Sequence, residues 1–249
     1  MWTTIIAGLV TFLFTTVLTI AGVGAAFILI PIFLALGIDI HTAMATALLL
    51  NAVAMTFASY RFIRAKLVIW RVAVPILVIA TALSPLGAWV SQGLDRATLL
   101  WGFVAFLLFA AGMMLFYSPR ERSLEASRVR LYAYGGAVGA VAGFLGGLLG
   151  VGGGNFIVPV LIWLGINPKK ASATTSFIVI FSSLSGFLGH ATVGSVSGSL
   201  LGVTAVASAL AAVVGAWLMT EKLSRRHVKL VVGIVLLGIA AKMLWGLLA

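Results

Sequence analysis

"LLGVGGGNFIVPVLIWLG", residues Leu148 to Gly165, sets four glycines in the five positions 150–154, then an asparagine and a run of large apolar side chains broken by Pro159. Soluble proteins use glycines at this density to wrap backbone around phosphate. A P-loop needs a Lys-Ser/Thr pair next, and none follows. A dinucleotide fingerprint needs a third glycine where Asn155 stands, and a βαβ unit around it, whereas the flanks here are membrane-like. Gly152, Gly153 and Gly154 in succession cost a continuous helix about 3 kcal/mol relative to alanine. The stretch therefore reads as a break between two helical runs, in the most apolar part of the chain.

The chain has 249 residues, 62% apolar and 8% charged, against about 45–50% and 25% in soluble domains. A fold of this length cannot hide that much apolar surface from water, so the class is all-α integral membrane protein. With no cysteine, disulfides, thiolate chemistry and Cys-based metal sites are excluded. His41, His190 and His227 lie far apart and do not have metal-ligand spacing, so neither metal nor cofactor is expected. A net charge of +11 in a soluble protein suggests nucleic acid. Here the basic residues form short clusters between apolar runs, which is the pattern of cytoplasmic loops, and nucleic acid is not an expected partner. The opening "MWTTIIAGLVTFLF" lacks a basic n-region and reads as a first membrane segment, not a cleaved signal. Most tryptophans suit interfacial belts, and Lys242 suits snorkelling.

Apolar runs fall at about 3–20, 24–37, 42–60, 70–91 and 97–117, and again at about 131–149, 153–166, 171–190, 198–220 and 228–248. Between them lies "SPRERSLEASRVR", Ser118 to Arg130. The expected division is a first transmembrane repeat over 1–117, a basic cytoplasmic linker over 118–130 and a second repeat over 131–249, together one membrane domain. A shift of 128 lays "GVGAAFILIPIFLALG" (Gly22 to Gly37) on "GVGGGNFIVPVLIWLG" (Gly150 to Gly165), and Gly22, Val23, Gly24, Pro31, Leu36 and Gly37 meet identical residues. Ala43, Ala45 and Thr46 meet Ala171, Ala173 and Thr174, and "GAW" at Gly87 meets "GAW" at Gly215. Several matches in order at one offset indicate a duplication.

Loop charge selects the relation between the halves. If each half crosses the membrane an odd number of times, Arg61, Arg64, Lys66, Arg71, Arg120, Arg122, Arg128, Arg130, Lys169, Lys170, Lys222, Arg225, Arg226 and Lys229 share a face, which is 14 of the 16 basic residues. An even number scatters them. The positive-inside rule thus favours two inverted-topology repeats in the cell (inner) membrane, with basic loops cytoplasmic and both termini on the other side. Five spans per repeat satisfy this, and so do three spans plus a re-entrant hairpin of the first two runs.

The second run of each repeat is short, starts at glycines and holds Pro31 or Pro159. This predicts a broken helix that begins inside the membrane, which is tolerated only where protein or a cavity satisfies the backbone. A helix N-terminus offers unpaired N–H groups and partial positive charge, and so holds an anion without lysine or arginine. Inverted-repeat transporters place substrate at such breaks. The candidate substrate-binding residues are Gly22, Gly24, Gly150, Gly152, Gly153, Gly154 and Asn155 as amide donors, Thr46, Thr174, Thr175 and Ser176 as hydroxyl donors, and Asn51. The competing roles are close helix packing for the glycines and bonding to their own helix backbone for the hydroxyls. The acidic residues Asp39, Asp95, Glu121, Glu125 and Glu221 fall in loops or at span ends, so no buried carboxylate suits a cation. His190 is the one candidate proton site near a pore.

These residues carry a resemblance. "GVGGGNFIVPVL…LGINPKKASATTSF" and its copy "GVGAAFILIPIF…LGIDIHTAMATALLLN" resemble the sulfite exporter TauE/SafE family, the TSUP permeases, over nearly the whole chain. The first repeat departs from the pattern, with Ala25 and Ala26 where the second has glycines. The resemblance implies a non-enzymatic permease for small sulfur-containing anions such as sulfite, thiosulfate, sulfoacetate or other organosulfonates. The expectation is a transporter working by alternating access, with a small anion and membrane lipid as partners and a homodimer as the assembly considered. The alternatives are a passive anion channel, and a membrane enzyme or assembly factor. The enzyme lacks a nucleophile–base pair in the spans.

Overall fold

Inside a bilayer every backbone amide must find its acceptor within the protein, which leaves helix as the form available to a chain this apolar and without strand periodicity. The computed structural model describes residues 2–24, 26, 29–30, 33, 36–38, 40–91, 96–116, 128–190 and 198–248. Among these, helices are α1 (Trp2–Ala21), α2 (Ile40–Arg64), α3 (Trp70–Val90), α4 (Arg96–Phe116), α5 (Arg128–Leu148), α6 (Gly154–Trp163), α7 (Pro168–Gly189), α8 (Gly198–Trp217) and α9 (Arg225–Leu248). Residues 26, 29, 30 and 33 are also helical, and a π-helical turn, Leu218–Lys222, extends α8. No described residue is in a strand. Ala25, Pro31, Asp39, Asp95, and residues 118–127 of the linker, with Arg120, Glu121, Arg122 and Glu125, lie outside the described residues.

The offset of 128 also relates helix bounds. Adding 128 to the bounds of α2 gives 168–192 against Pro168–Gly189 for α7, and adding it to α3 gives 198–218 against Gly198–Trp217 for α8. Among the described residues, five helices are long and apolar enough to cross a membrane: Thr42–Arg64, Trp70–Val90, Pro168–Gly189, Leu200–Lys222 and Arg225–Gly246. The surface is apolar, with Leu9, Leu13, Phe109, Leu188, Val206, Ile234 and Trp245 exposed, while the interior holds alanines and hydroxyl side chains. That inside-out distribution is what a lipid solvent calls for.

Local chemistry sets the helix ends. Asn167 caps α7 by accepting the Lys169 amide at 3.0 Å, and Pro168 fills the first turn where its missing N–H costs nothing. Pro85 in mid-α3 cannot donate to the Thr81 carbonyl four residues earlier, and the Ser185 hydroxyl from α7 donates to that carbonyl instead, at 2.7 Å. In this way a side chain of one half repairs a helix of the other.

The halves interlock reciprocally. α3 of the first packs on α5 of the second, and α8 of the second packs on α1 of the first; α2 packs on α7, and α4 on α9. A methyl added at Gly139, Gly143 or Gly147 of α5 would strike Ile76, Ala80 or Ser84 of α3, so numbering rises together and these helices run parallel. Gly8 against Val203 and Thr19 against Gly215 give the same sense for α1 and α8. In contrast, Leu48 meets Gly186 while Asn51 bonds Ser183, so α2 and α7 run antiparallel.

One end of the molecule gathers basic clusters. Arg61 at the end of α2 pairs with Glu221 and donates through Nε to the Thr220 hydroxyl at 3.1 Å, and Lys169 at the start of α7 donates to the Thr220 carbonyl at 3.2 Å.

Candidate functional site

The glycine turns end α1 and α5 in the same way. The Gly22 amide donates to Thr19 O (3.0 Å) and the Val23 amide to Leu18 O (3.1 Å). One repeat later Gly150 donates to Gly147 O (3.2 Å) and Val151 to Gly146 O (2.9 Å). This pair of bonds, three and five residues back, is the Schellman helix stop, and it needs a left-handed residue where each glycine sits; φ is +74° at Gly22 and +68° at Gly150. A second left-handed residue follows in each turn, Gly24 at +85° and Gly152 at +76°. In the second repeat Gly153, at +78°, leads directly into α6. Pro159 is the sixth residue of that ten-residue helix.

The two turns meet. A methyl at Gly154 would lie 2.7 Å from the Val23 carbonyl oxygen; one at Gly24 would enter the Asn51 carboxamide, and one at Gly152 would strike the Ser183 hydroxyl and lie 3.0 Å from Asn51 Nδ2. Asn51, fully buried, thus stands between the breaks and donates from Nδ2 to Ser183 Oγ at 2.9 Å. Around it, the Ser182 hydroxyl donates to Gly152 O at 3.0 Å and the Ser84 hydroxyl to Ser182 O at 2.9 Å.

The amides divide into two sets. Those of Gly22, Gly150 and Gly152 are held by the carbonyls of Thr19, Gly147 and Gly146. Those of Gly24, Gly153, Gly154 and Asn155 have no acceptor among the described residues, the first bonds of α6 being those of Phe156 and Ile157 to Gly153 O. Asn155 is fully buried, and neither atom of its carboxamide has a partner among the described residues. The same is true of the Thr175 hydroxyl. No Asp, Glu, Lys or Arg is buried among the described residues, so backbone dipoles, the N-terminus of α6 among them, dominate the field there.

The other candidates, Thr46, Thr174, Ser176 and His190, lie on α2 or along α7 to its end. Thr174 accepts the Ile69 amide at 3.0 Å, fixing the start of α3, and Ser176 donates to Ser172 O of its own helix at 2.9 Å. Thr46 is buried in α2. His190 ends α7, and its Nε2 lies 3.1 Å from Gly147 O, the carbonyl that also receives Gly150. A carbonyl only accepts, so Nε2 carries the proton in that contact. The sequence reading passed over Ser84, whose signal was a hydroxyl within an alanine-, leucine- and proline-rich run.

The family model of the sulfite exporter TauE/SafE matches residues 7–243. The chain is 26% identical, over a 262-residue alignment covering 92% of it and 93% of its relative, to the probable membrane transporter protein YunE of Bacillus subtilis. It is 28% identical to the probable membrane transporter protein YdhB of the same organism, over 84% of this chain and 87% of that one. Sulfite exporter TauE/SafE family protein 1 of Arabidopsis thaliana is 34% identical over 85 residues, 34% of this chain and 19% of the plant protein. No solved structure matches. The helices, the paired glycine turns and these likenesses agree, and the chain belongs to the sulfite exporter TauE/SafE family of membrane transporters.

Proposed function

We propose that the protein carries a small sulfur-bearing oxyanion, of the sulfite, thiosulfate or organosulfonate class, by alternating access through the paired glycine turns. The observation that carries this reading is the start of α6, where three amides and the Asn155 carboxamide are buried without partners among the described residues. A buried unpaired amide costs about 1–3 kcal/mol, and unsatisfied groups that converge at a helix N-terminus suit an anion. Asn155 supplies amide hydrogens, Thr175 a hydroxyl, and the helix dipole the charge. Gly22, Gly150 and Gly152 shape the turns, and Asn51 couples them. The family's description as sulfite exporters supports sulfur as the central atom.

Inverted repeats are the arrangement we propose, with α1 and the short segment after it, and α5 with α6, as re-entrant hairpins. The antiparallel run of the repeat mates α2 and α7 supports a two-fold axis across the helices, and the reciprocal packing of α1–α8 and α3–α5 supports exchange of equivalent surfaces. The gathering of Arg61, Lys169 and Lys222 at one end supports a cytoplasmic placement of that end, with both termini opposite. Every described residue of the two turns is buried, which supports a site closed to both sides, whose release requires the halves to move. That requirement favours a carrier over an open channel.

Counterflow in proteoliposomes tests this. Unlabelled sulfite, thiosulfate or sulfoacetate inside the vesicle should accelerate entry of the labelled anion, and Asn155→Leu should abolish the acceleration. Entry indifferent to the inner anion, or an active Asn155→Leu protein, refutes the reading.

A further inference from the structure

The two seams between the halves are repeat mates, yet their chemistry differs. On α5 the residues facing α3 are Gly139, Gly143 and Gly147, where a methyl would lie 2.7 Å from Ile76 O or strike the backbone of Ala80 or Ser84. Those helices touch backbone to backbone. Moving back by 128 gives Thr11, Thr15 and Thr19 on α1. All three are fully buried, and none of their hydroxyls has a partner among the described residues. Their spacing of four sets them in one file on one helix face, and that face meets α8 where Thr19 Cβ approaches Gly215. The register of Gly8 with Val203 and Thr19 with Gly215 brings Ser208 of α8 between the levels of Thr11 and Thr15. Ser208 is also fully buried, and its hydroxyl has no partner among the described residues.

Threonine in a helix commonly bonds back to the carbonyl four residues earlier, and Thr16, Thr56, Thr204 and Thr220 do so. The three in the file do not. Packing alone does not account for four dry hydroxyls, because valine or alanine fills such space without the cost of desolvating an unbonded O–H. The file ends where the Thr19 carbonyl receives the Gly22 amide, at the first glycine turn.

We propose that, when the halves move, the α1–α8 seam opens into a hydrated conduit along which the anion reaches the glycine turns, the hydroxyls of Thr11, Thr15, Thr19 and Ser208 donating to it in succession. The α3–α5 seam stays shut. This rests on the turns being an anion site. Neutral donors suit a passage, since they replace part of the hydration shell without a fixed charge that would trap the ion.

The chain has no cysteine, so single cysteines report directly on access. In the full-length protein in proteoliposomes, Thr15→Cys and Ser208→Cys should react with a small anionic methanethiosulfonate at least about tenfold faster than Ala80→Cys, a dry site raising the thiol pKa and suppressing the thiolate. Ala80 is the repeat mate of Ser208 on the shut seam. Sulfoacetate, inert to the reagent, should slow the reaction. Silence of both Thr15→Cys and Ser208→Cys overturns the conduit, even in a protein that exchanges anions. Thr15→Val checks it independently. Loss of one hydrogen bond should lower sulfoacetate exchange about fivefold while thermal stability holds or rises, whereas unchanged exchange overturns the proposal. A wild-type protein that exchanges none of the anions refutes the function proposed above, a failure separate from silent cysteines, which refutes the seam alone.

Discussion

Gly152→Ala should unfasten the junction of the two repeats. Gly152 has φ of +76°, a left-handed conformation that costs alanine about 1–2 kcal/mol. Its added methyl strikes the Ser183 hydroxyl and presses on Asn51 Nδ2. Ser183 must then leave Asn51, and a hydrogen bond lost in a dry core costs about 1–3 kcal/mol. The sum is roughly 2–5 kcal/mol, which for a chain of this size corresponds to a fall in melting temperature on the order of 10 °C. The assay is thermal unfolding of the purified protein in detergent. Gly238→Ala serves as control, because a methyl there meets nothing within 4 Å and alanine favours helix by about 1 kcal/mol. Adding Ser183→Ala to Gly152→Ala should recover the collision but not the backbone strain, a positive coupling between the two sites. A Gly152→Ala protein that melts with the wild type refutes the reasoning, because neither the left-handed turn nor the contact with Ser183 would then be real.

Three further outcomes follow from the same geometry. Asn155→Leu removes a buried carboxamide without partners among the described residues, so thermal stability should rise by about 1–3 kcal/mol while anion exchange is lost; a destabilised variant would mean that the carboxamide has a structural partner. Thr174→Val removes the acceptor of the Ile69 amide and should cost about 1 kcal/mol of stability, with exchange per folded molecule unchanged. Glu221→Gln should shift stability by less than about 1 kcal/mol, because its ion pair with Arg61 is half in solvent, as a melting curve would show.

The sequence carried much of this. Helix positions followed from apolar runs, and the turns from the match of Gly22, Val23 and Gly24 to Gly150, Val151 and Gly152, since a helix stop that needs left-handed backbone leaves glycine as its trace. Hydroxyl roles were less legible. Thr174 and Thr175 are neighbours in one threonine pair, yet one fixes the start of α3 and the other has no partner among the described residues; the difference is a rotation about the helix axis that only tertiary packing decides. Asn51 has Val179 as its repeat mate, so the duplication gave no hint that one asparagine serves both turns. The file Thr11, Thr15, Thr19 lay in a run that reads as an ordinary span, and its distinction from the glycine file on α5 emerges only when the two seams are laid side by side.

Crystals grown with selenite, the heavier congener of sulfite, offer the decisive measurement through anomalous scattering. The expected selenium peak lies at the start of α6, with its oxygens about 2.7–3.2 Å from the amides of Gly154 and Asn155. A selenium peak confined to the basic end around Arg61 and Lys169, with the α6 amides unoccupied by anion, would contradict an anion site at the glycine turns.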